Sequence, residues 1–331
     1  MFRRIVTHND FDGLVSGALC AWAYNIDTFF FTGPRSISES RIAVTSGDIV
    51  CDLPYPLECG LWFDHHPGNA EELTYRNINL TEIPGRFASE PSCARVVMTY
   101  LAEEKSLPGH FADMVAEADI IDAFAYTSIE DWRSPTPGKL IENTLKLHAE
   151  NRRERDTYMA DLIHALRDHS LEDVAELDQV REWSDRYQAQ EEQMIEQIRQ
   201  DAGFLPDDVD REIVVIDLTC HNRQPVIVKN LAYLIFPDAL GVIEIKNRFH
   251  GTVKSNDLSF SMSLSLNLNG KGYGIDVGEI MRQLNIGDGH QGAGAGVLPC
   301  RLKDEMQRKK VDTLKHIMRI WRTQSHGRLS E

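Results

Sequence analysis

Short apolar runs alternate with helical stretches through the first 140 residues of the chain. Arg4–Thr7 is predicted to be a strand and Gly13–Tyr24 a helix, and the brief apolar runs Ile49–Cys51 and Leu61–Phe63 end on polar residues. Strands that alternate with helices are typical of a parallel sheet covered by helices. We therefore predict an α/β domain with a doubly wound, mainly parallel sheet over residues 1–140.

The pattern changes in the next part of the chain. Between Leu140 and Gln200 the sequence is rich in Glu, Arg, Gln, Ala and Leu and contains neither proline nor glycine. These residues are good helix formers, and their polarity favours long exposed helices. The turn-forming segment 203–208, which contains Gly203 and Pro206, then marks a boundary. We therefore predict a helical linker over residues 141–208.

A second, smaller domain is predicted over residues 209–331. The apolar runs Ile213–Ile216 and Gly241–Ile245 are predicted to be strands, and Leu258–Leu268 alternates apolar residues with Ser and Asn. Alternation with a period of two is typical of a strand with one buried face. We expect this domain to be α/β with a mixed sheet.

The composition of the chain favours a protein that stays out of membranes. The 331 residues are 42% hydrophobic, which is enough to bury the cores of two domains. No window approaches a membrane-spanning apolar run, and the N-terminus does not resemble a signal peptide. Six cysteines are scattered without a Cys-x-x-Cys pair, which favours free thiols over a cysteine metal site or nucleophile. We therefore expect a cytoplasmic location.

The net charge of −16 opposes a tight, non-specific grip on long nucleic acid. It does not exclude a short anionic substrate, because bound divalent cations reverse the sign of the local field. The region after Arg301 is the basic exception, and its apolar residues at helical spacing are Val311, Leu314, Met318 and Trp321. It is predicted to be an amphipathic helix, whose basic face is either solvated or in contact with an anionic substrate or partner.

Three clusters of Asp and His residues each follow a predicted strand. The first is His8-Asn9-Asp10-Phe11-Asp12, in which alternate side chains of an extended segment point to the same side. Asp52 follows the second strand, and Asp64-His65-His66 follows the third. Ligands bind at the carboxyl ends of parallel strands, so we expect these side chains to converge there. Neighbouring carboxylates repel each other, and a divalent cation between them removes that repulsion.

Such a set of carboxylates and imidazoles predicts a metal centre. Hard or borderline cations suit Asp and His ligands, so Mn²⁺ is the expected ion, with Mg²⁺, Co²⁺ and Zn²⁺ as alternatives. Two such ions about 3.5–4 Å apart polarise a phosphoryl group and generate a bridging hydroxide. No side-chain nucleophile is then required. The sequence therefore predicts hydrolysis of a phosphoester bond.

The three clusters resemble the first three motifs of the DHH phosphoesterase superfamily: His8-x-Asp10-x-Asp12-Gly13, then Asp52, then Asp64-His65-His66. That superfamily includes RecJ-type exonucleases, nanoRNases, pAp phosphatases, cyclic-dinucleotide phosphodiesterases and family II inorganic pyrophosphatases. Its fourth motif is an aspartate on a later apolar helix. Asp122 is similar to it, with Asp119 as the competing choice. The segment Ser89–Ala94, which precedes an apolar helix, is interpreted as a helix N-cap, with a phosphate contact as the alternative.

The second half of the chain resembles the DHH-associated C-terminal domain. The hallmark of that domain is a glycine-rich loop, which corresponds here to residues 287–296 and includes Gly287, Gly289 and His290. Glycines let backbone N–H groups approach phosphate oxygens closely, and His290 can donate to them as well. Two departures weaken a transfer of nucleotide specificity. The preceding strand lacks the arginine of many relatives, for which Lys246, Arg248 or Lys254 could substitute, and Asp288 would repel a phosphate unless it turns away.

The resemblance implies a role for each residue. One metal ion would be held by His8, Asp10 and Asp52, and the other by Asp12, Asp52, His65 and Asp122, with Asp52 bridging the two. The catalytic set would be His66, Asp52 and Asp64, in which His66 faces the substrate as a leaving-group acid or phosphate donor. The phosphate would be bound by Gly287, Gly289, His290 and His66. The reaction would occur in the cleft between the two domains.

The expected substrate is a short oligonucleotide or a small nucleotide. Hydrolysis of polyphosphate or pyrophosphate is the alternative with the same metal chemistry, and a catalytically silent phosphate-binding module is the non-enzymatic alternative. Aromatic residues near the glycine stretch, such as Tyr273 or Phe249, would favour nucleotides if they line the cleft. Long nucleic acid is a less favoured substrate, because no basic track is visible. Homodimers are common among relatives, so a homodimer is a further possibility.

Overall fold

Five parallel strands form a sheet in the N-terminal part of the chain: β1 (Arg4–Thr7), β2 (Phe29–Phe31), β3 (Asp48–Cys51), β4 (Leu61–Asp64) and β5 (Gly85–Phe87). Their order across the sheet is β2-β1-β3-β4-β5. The predicted parallel sheet is confirmed, and β1, β3 and β4 match the predicted strands to within one residue. In this strand order the chain reverses its direction of travel across the sheet between β1 and β3.

The computed structural model describes residues 2–147, 151–223, 225–268 and 274–326. The chain divides into two units, which are Met1–Tyr126 with Ser134–Gln188 and Thr127–Arg133 with Ala189–Glu331. Each unit contains its own sheet and its own buried apolar cluster. The expectation of two α/β domains is confirmed.

Helices cover both faces of the first sheet. Successive strand residues point to opposite sides, so Ile5 and Ile49 share a buried cluster with α1, whereas Val6 and Val50 cluster with Leu73 on the other face. The doubly wound arrangement is therefore confirmed. The helices from residue 11 to residue 201 are α1 (Phe11–Tyr24), α2 (Pro34–Ser38), α3 (Pro67–Tyr75), α4 (Cys93–Ala102), α5 (His110–Asp122), α6 (Ile129–Arg133), α7 (Pro137–Leu145), α8 (Arg152–Asp168), α9 (Leu171–Ala175) and α10 (Asp178–Asp201).

The stretch predicted as long exposed helices forms α8, α9 and α10, but these helices are not exposed all round. Tyr158, Ile163 and Trp183 are almost fully buried and belong to the core cluster of the first unit. The rings of Tyr158 and Trp183 stack with centroids 4.0 Å apart. The sparse apolar residues of this stretch recur at helical spacing, so one face packs on the core while the charged face meets solvent.

The second unit contains a mixed six-stranded sheet, as predicted. Its strands are β6 (Ala202–Gly203), β7 (Ile213–Asp217), β8 (Gly241–His250), β9 (Val253–Leu264), β10 (Gly287–His290) and β11 (Ala293–Leu298). Their order is β10-β11-β9-β8-β7-β6, and of these pairings that of β7 with β8 is parallel. The alternation in β9 has its predicted effect, since Leu258, Phe260 and Met262 are fully buried.

Two helices, α11 (Val277–Gln283) and α12 (Lys303–His326), complete the second unit. Helix α12 is the predicted amphipathic basic helix, and its residues Leu314, Met318 and Trp321 are buried. Val311 differs from the prediction because its side chain is 46% exposed. It lies about 60° around the helix from Leu314, at the edge of the buried stripe. In the described part of the chain, no helix combines the length and the apolar character needed to span a membrane.

Candidate functional site

The three strand-end clusters of Asp and His residues lie together at one edge of the first sheet. His8 and Asp10 follow β1, Asp52 follows β3, and Asp64 ends β4. In a doubly wound sheet, the carboxyl ends of the strands beside the reversal of direction form a crevice where ligands bind. The fold therefore brings into one place residues that are more than fifty positions apart in the sequence.

One group in this crevice consists of His8, Asp10 and Asp52. The Nδ1 atom of His8 lies 2.5 Å from Oδ2 of Asp10 and 3.3 Å from Oδ2 of Asp52. Asp10 is also the N-cap of α1, where its Oδ1 accepts a hydrogen bond from the amide of Gly13 at 2.9 Å. A Cβ atom on Gly13 would lie only 2.4 Å from the carbonyl oxygen of His8, so this tight turn requires glycine.

The second group consists of Asp12, His65 and Asp122. The Nε2 atom of His65 lies 3.3 Å from Oδ2 of Asp122, 3.8 Å from Oδ2 of Asp12 and 3.6 Å from Oδ1 of Asp52. The Nδ1 atom of His65 lies 3.0 Å from the carbonyl oxygen of Glu90. A carbonyl can only accept, so Nδ1 carries the proton, and in the neutral ring Nε2 directs its lone pair at the three carboxylates.

Asp52 shows that the residues fit divalent cations. Both of its carboxylate oxygens are buried and lack a hydrogen-bond partner among the described residues, as does Nε2 of His65. Buried charged oxygens without partners are costly, and metal coordination is one of the few ways to satisfy them. The backbone of Asp52 has a φ angle of +57°, a conformation that places this carboxylate at the cost of some strain.

The charges of the crevice shift the pKa values of its residues. Burial opposes a charged imidazole, yet contacts with carboxylates raise the pKa of both His8 and His65 to about 10. Burial, together with the charges of Asp52 and its neighbours, raises the pKa of Asp12 well above its usual value and that of Asp122 to about 6. The charge contributions have one cause, a strongly negative potential that favours any added positive charge.

A separate set of contacts orients His66. Its Nδ1 atom lies 2.8 Å from Oδ1 of Asp64, and Oδ2 of Asp64 accepts a hydrogen bond from the Asn69 side chain at 2.7 Å. Asp64 is fully buried, whereas the side chain of His66 is 49% exposed. The Nε2 end of His66 is therefore accessible to a substrate. Its hydrogen bond to Asp64 raises the pKa of His66, although burial acts in the opposite direction.

The start of α4 supports the centre in a way that the sequence reasoning missed. The amides of Cys93 and Ala94 donate to the two carboxylate oxygens of Asp12 at 2.8 and 2.7 Å. The N-cap predicted within residues 89–94 is Ser92, whose hydroxyl accepts from the amide of Arg95 at 3.1 Å. The N-terminal amides of a helix are free to donate, and here they meet the side-chain oxygens of Asp12. The sequence feature that could have indicated these contacts is the serine that precedes the helix.

Asp119 and Asp122 lie three residues apart on α5 but have different surroundings. Oδ1 of Asp119 accepts from the Ser92 hydroxyl at 2.6 Å, and its Oδ2 accepts from Nε of Arg95 at 2.9 Å. Asp122 instead faces His65 in the crevice. Of the two candidates for the fourth motif, Asp122 is the one that the structure brings to the other site residues.

The glycine-rich stretch of the second unit is not the loop that the sequence suggested. Gly287 and Gly289 lie in β10, which forms a hairpin with β11. A Cβ atom on Gly287 would lie 1.9 Å from the carbonyl oxygen of Ala295, and one on Gly278 of α11 would lie 2.2 Å from the carbonyl oxygen of Gly289. The glycines therefore allow the hairpin and α11 to approach closely, a packing role that the sequence alone does not distinguish from phosphate binding.

The polar groups of this hairpin have defined partners. Asp288 accepts from the amide of Gly289 at 2.8 Å and pairs with Arg282 at 2.6 Å, and these two contacts lower the pKa of Asp288. Its charge is thus engaged locally. His290 is exposed, and its Nδ1 accepts from the amide of Gly292 at 3.1 Å, so Nε2 carries the proton and is available as a donor.

The other candidate residues of the sequence analysis have ordinary structural contacts or positions in the second unit. Lys246 pairs with Glu244 at 2.5 Å, and Lys254 donates to the carbonyls of Thr219 and His221. Phe249 lies near the end of β8, whereas Tyr273 falls outside the described residues. All six cysteines are free, and five are buried.

Comparison of the structure with solved proteins reveals its fold. A pGpG-specific phosphodiesterase, PggH from Vibrio cholerae, matches with a TM-score of 0.68 and 22% identity over 96% of this chain and 99% of that one. RecJ from Thermus thermophilus, solved in complex with Mn²⁺, matches with a TM-score of 0.54 and 14% identity over 96% of this chain and 52% of RecJ. The DHH domain of a member of a ribosomal-protein family matches with a TM-score of 0.50 and 12% identity, over 96% of this chain and 86% of that one.

The chain has the DHH fold. This likeness was found in the structures, since no family model and no curated protein matches the sequence. The resemblance drawn from the strand-end motifs is thereby confirmed at the level of the fold. Since the match to PggH spans both units of this chain, the second unit belongs to the shared architecture as well.

Proposed function

We propose that this protein is a phosphoesterase that uses two divalent metal ions and acts on short oligonucleotides or small nucleotides. The observation that carries the proposal is the buried carboxylate of Asp52, whose oxygens face both groups of Asp and His residues and lack hydrogen-bond partners in the described part of the chain. A purely structural aspartate at this position would be expected to have hydrogen-bond partners.

The two groups provide suitable ligands for two ions. His8, Asp10 and Asp52 would hold one ion, and Asp12, Asp52, His65 and Asp122 would hold the other. Oxygen and imidazole ligands without cysteine suit Mn²⁺, with Mg²⁺, Co²⁺ and Zn²⁺ as alternatives. Bound there, such ions supply Lewis-acid polarisation of a phosphoryl group and neutralise its developing charge.

The side chains beside the ligands have separate tasks. His66, held through Nδ1 by Asp64, would present Nε2 to the substrate, either to donate to a phosphate oxygen or to protonate the leaving oxygen. Asn69 holds the other oxygen of Asp64 and so fixes the pair. In the second unit, we propose that His290 and the backbone at Gly287 bind a phosphate of the substrate, since Gly289 already donates to Asp288.

The choice of a small nucleotide rests on charge and on the comparisons. A net charge of −16 disfavours binding of long nucleic acid. The structure of PggH, a pGpG-specific phosphodiesterase, matches this chain over nearly the whole length of both. We therefore place linear dinucleotides first among the substrates to be tested.

The test is a substrate panel assayed in Mn²⁺: 5′-labelled RNA and DNA from two to twelve nucleotides, pGpG, pAp, cyclic dinucleotides and polyphosphate. Asp52→Asn is assayed beside the wild type, with Asp119→Asn as a matched control outside the crevice. Cleavage of dinucleotides or pAp that is lost in Asp52→Asn and kept in Asp119→Asn supports the proposal. Turnover of polyphosphate alone would favour the alternative function, hydrolysis of polyphosphate or pyrophosphate. Inactivity across the whole panel with metal bound would favour a catalytically silent phosphate-binding module.

A further inference from the structure

A further group of side chains that could hold a metal ion lies in the second unit. It consists of Asp201, Cys220 and His221, and one potential ligand atom from each lies within 4.8 Å of the others. Asp201 ends α10, Cys220 ends the short 3-10 helix that follows β7, and His221 is the next residue. These are residues of three different types from two separate elements, which the fold brings together.

We propose that Asp201, Cys220 and His221 form a binding site for a single Zn²⁺ ion or another borderline transition-metal ion. A thiolate, an imidazole and a carboxylate are all ligands of Zn²⁺ in proteins. The thiolate separates this site from the two groups of the first unit, whose Asp and His ligands also suit harder cations. On binding, Cys220 releases its thiol proton to solvent and the sulfur lone pair forms the bond to the ion.

Neighbouring contacts hold the three side chains in place. The Nζ atom of Lys254 donates to the carbonyls of Thr219 and His221 at 2.8 and 2.7 Å, which fixes the backbone on both sides of Cys220. The Gln197 side chain donates to Oδ2 of Asp201 at 2.6 Å. Contacts of this kind orient metal ligands and reduce the cost of assembling the site.

The site is also open to solvent on one side. Cys220 is exposed, in contrast to the other five cysteines, which are buried. Asp201 and Cys220 line a polar cavity of about 760 Å³ in the second unit, together with Asp217, Asn247 and Lys310. An ion with three protein ligands would therefore keep a coordination position that faces this cavity, as open zinc sites do.

Without metal, Asp201 and His221 satisfy each other through a contact of 2.6 Å between Oδ2 and Nε2. When a metal ion binds, the proton between these two atoms leaves to solvent and the neutral ring carries its proton on Nδ1, so Nε2 and Oδ2 each direct a lone pair at the ion. Cys220 is the residue whose role changes most between the two states. Its exposed thiol faces solvent in the metal-free chain, whereas its sulfur is a ligand in the loaded site.

The test uses Co²⁺ as a spectroscopic probe in the full-length protein, stripped of metal and kept reduced. Cobalt bound to a thiolate gives a charge-transfer band in the near ultraviolet, which Asp and His ligands do not produce. We expect a band in the wild type whose full amplitude corresponds to one thiolate-bound Co²⁺ per chain, beside any Co²⁺ held by the first unit, and which Zn²⁺ displaces. It should be absent in Cys220→Ser, and His221→Gln and Asp201→Asn should each weaken Co²⁺ affinity by about tenfold or more.

Two control variants make the outcome decisive. Cys300→Ser removes a buried thiol of the same unit and should keep the band, and Asp52→Asn should keep it even if the centre of the first unit fails. Circular dichroism verifies that every variant is folded. The proposal is overturned if the wild type shows no band, if the band survives in Cys220→Ser, if it is lost in Cys300→Ser, or if it is unaffected by both His221→Gln and Asp201→Asn.

Discussion

The Nδ1 atom of His66 lies 2.8 Å from Oδ1 of Asp64, whereas His65, the residue between them, directs its Nε2 at Asp12, Asp52 and Asp122. The adjacent histidines thus point at different groups. In the proposed centre His65, held by the carbonyl of Glu90, would be a metal ligand, and His66, held by a buried carboxylate, would face the substrate. This difference predicts that substitutions of Asp64 lower kcat, whereas substitutions of the proposed ligands lower metal affinity.

Asp64→Asn should reduce kcat by about 10–100-fold, because an amide no longer orients His66 or stabilises its protonated form. Its affinity for Mn²⁺ should change little, since Asp64 is occupied by His66 and Asn69 rather than directed at the ion groups. Steady-state kinetics and a Mn²⁺ titration separate the two effects. An equal loss of metal affinity would show that Asp64 acts mainly through the ligands.

Mn²⁺ should raise the melting temperature of the wild type by several degrees when it is present at about 100 times its dissociation constant, which contributes about 2.7 kcal/mol per site. Asp52→Asn should lose most of this increase, because Asp52 faces both groups of ligands. Differential scanning calorimetry with and without a chelator measures this metal-dependent increase in melting temperature. The same metal-dependent increase in both proteins would argue against a bridging role for Asp52.

The parts of the fold that could be predicted from the sequence are those that local patterns determine. The apolar runs before His8, Asp52 and Asp64 located three strands of the first sheet, and the polar residues that follow them indicated the crevice where these side chains gather. The contacts that hold the site could not be predicted, because they join distant segments. Asp12 accepts hydrogen bonds from the amides of Cys93 and Ala94. No local sequence pattern predicts a contact between residues some eighty positions apart.

The glycine-rich stretch shows a different limit of sequence reasoning. Glycine is required both where a backbone approaches a phosphate and where it approaches another backbone, and the sequence is the same in both cases. Here Gly278 and Gly287 meet neighbouring carbonyl groups, so packing already requires glycine at both positions. The Asp201, Cys220 and His221 group was missed for a related reason, since its first ligand is nineteen residues from the second and belongs to another element.

Gly278→Ala should destabilise the second unit by about 1–3 kcal/mol, because the new methyl group would lie 2.2 Å from the carbonyl oxygen of Gly289. Gly203→Ala is the matched control, since a Cβ atom there meets nothing within 4 Å. Urea unfolding followed by tryptophan fluorescence compares the two variants. If both lose the same stability, close packing of α11 on the hairpin does not explain the glycine.

The stability that Asp48 provides should depend on pH. Burial acts to raise its pKa, but hydrogen bonds from Arg4 and Thr45 lower it below that of the unfolded chain. The ionised form therefore stabilises the fold fully above the ordinary aspartate pKa of about 3.9, and this contribution is lost as the pH falls through the lowered folded pKa. Asp48→Asn should cost about 1–3 kcal/mol at pH 7, and the difference from the wild type should shrink below about pH 4.

Urea unfolding at several pH values measures this difference for Asp48→Asn. Asp27→Asn serves as its control, because Asp27 is 65% exposed and pairs with Arg167 at the surface. Exposed ion pairs contribute about 0–1 kcal/mol, so this variant should change stability little at any pH. A loss at Asp48 that stays constant down to about pH 3 would mean that packing, and not charge, accounts for it.

Asp119→Asn and Asp122→Asn should have opposite effects, although the two residues lie on the same helix. Asp122→Asn removes a carboxylate 3.3 Å from Nε2 of His65 and should weaken Mn²⁺ binding about 10–100-fold while leaving the metal-free fold stable. Asp119→Asn breaks the contacts with Ser92 and Arg95 and should cost about 1–3 kcal/mol of stability without a change in metal affinity. For both variants, calorimetric titration with Mn²⁺ measures the metal affinity, and urea unfolding measures the stability. If Asp119→Asn weakens metal binding while Asp122→Asn does not, the fourth motif lies at Asp119 and the assignment made from geometry is wrong.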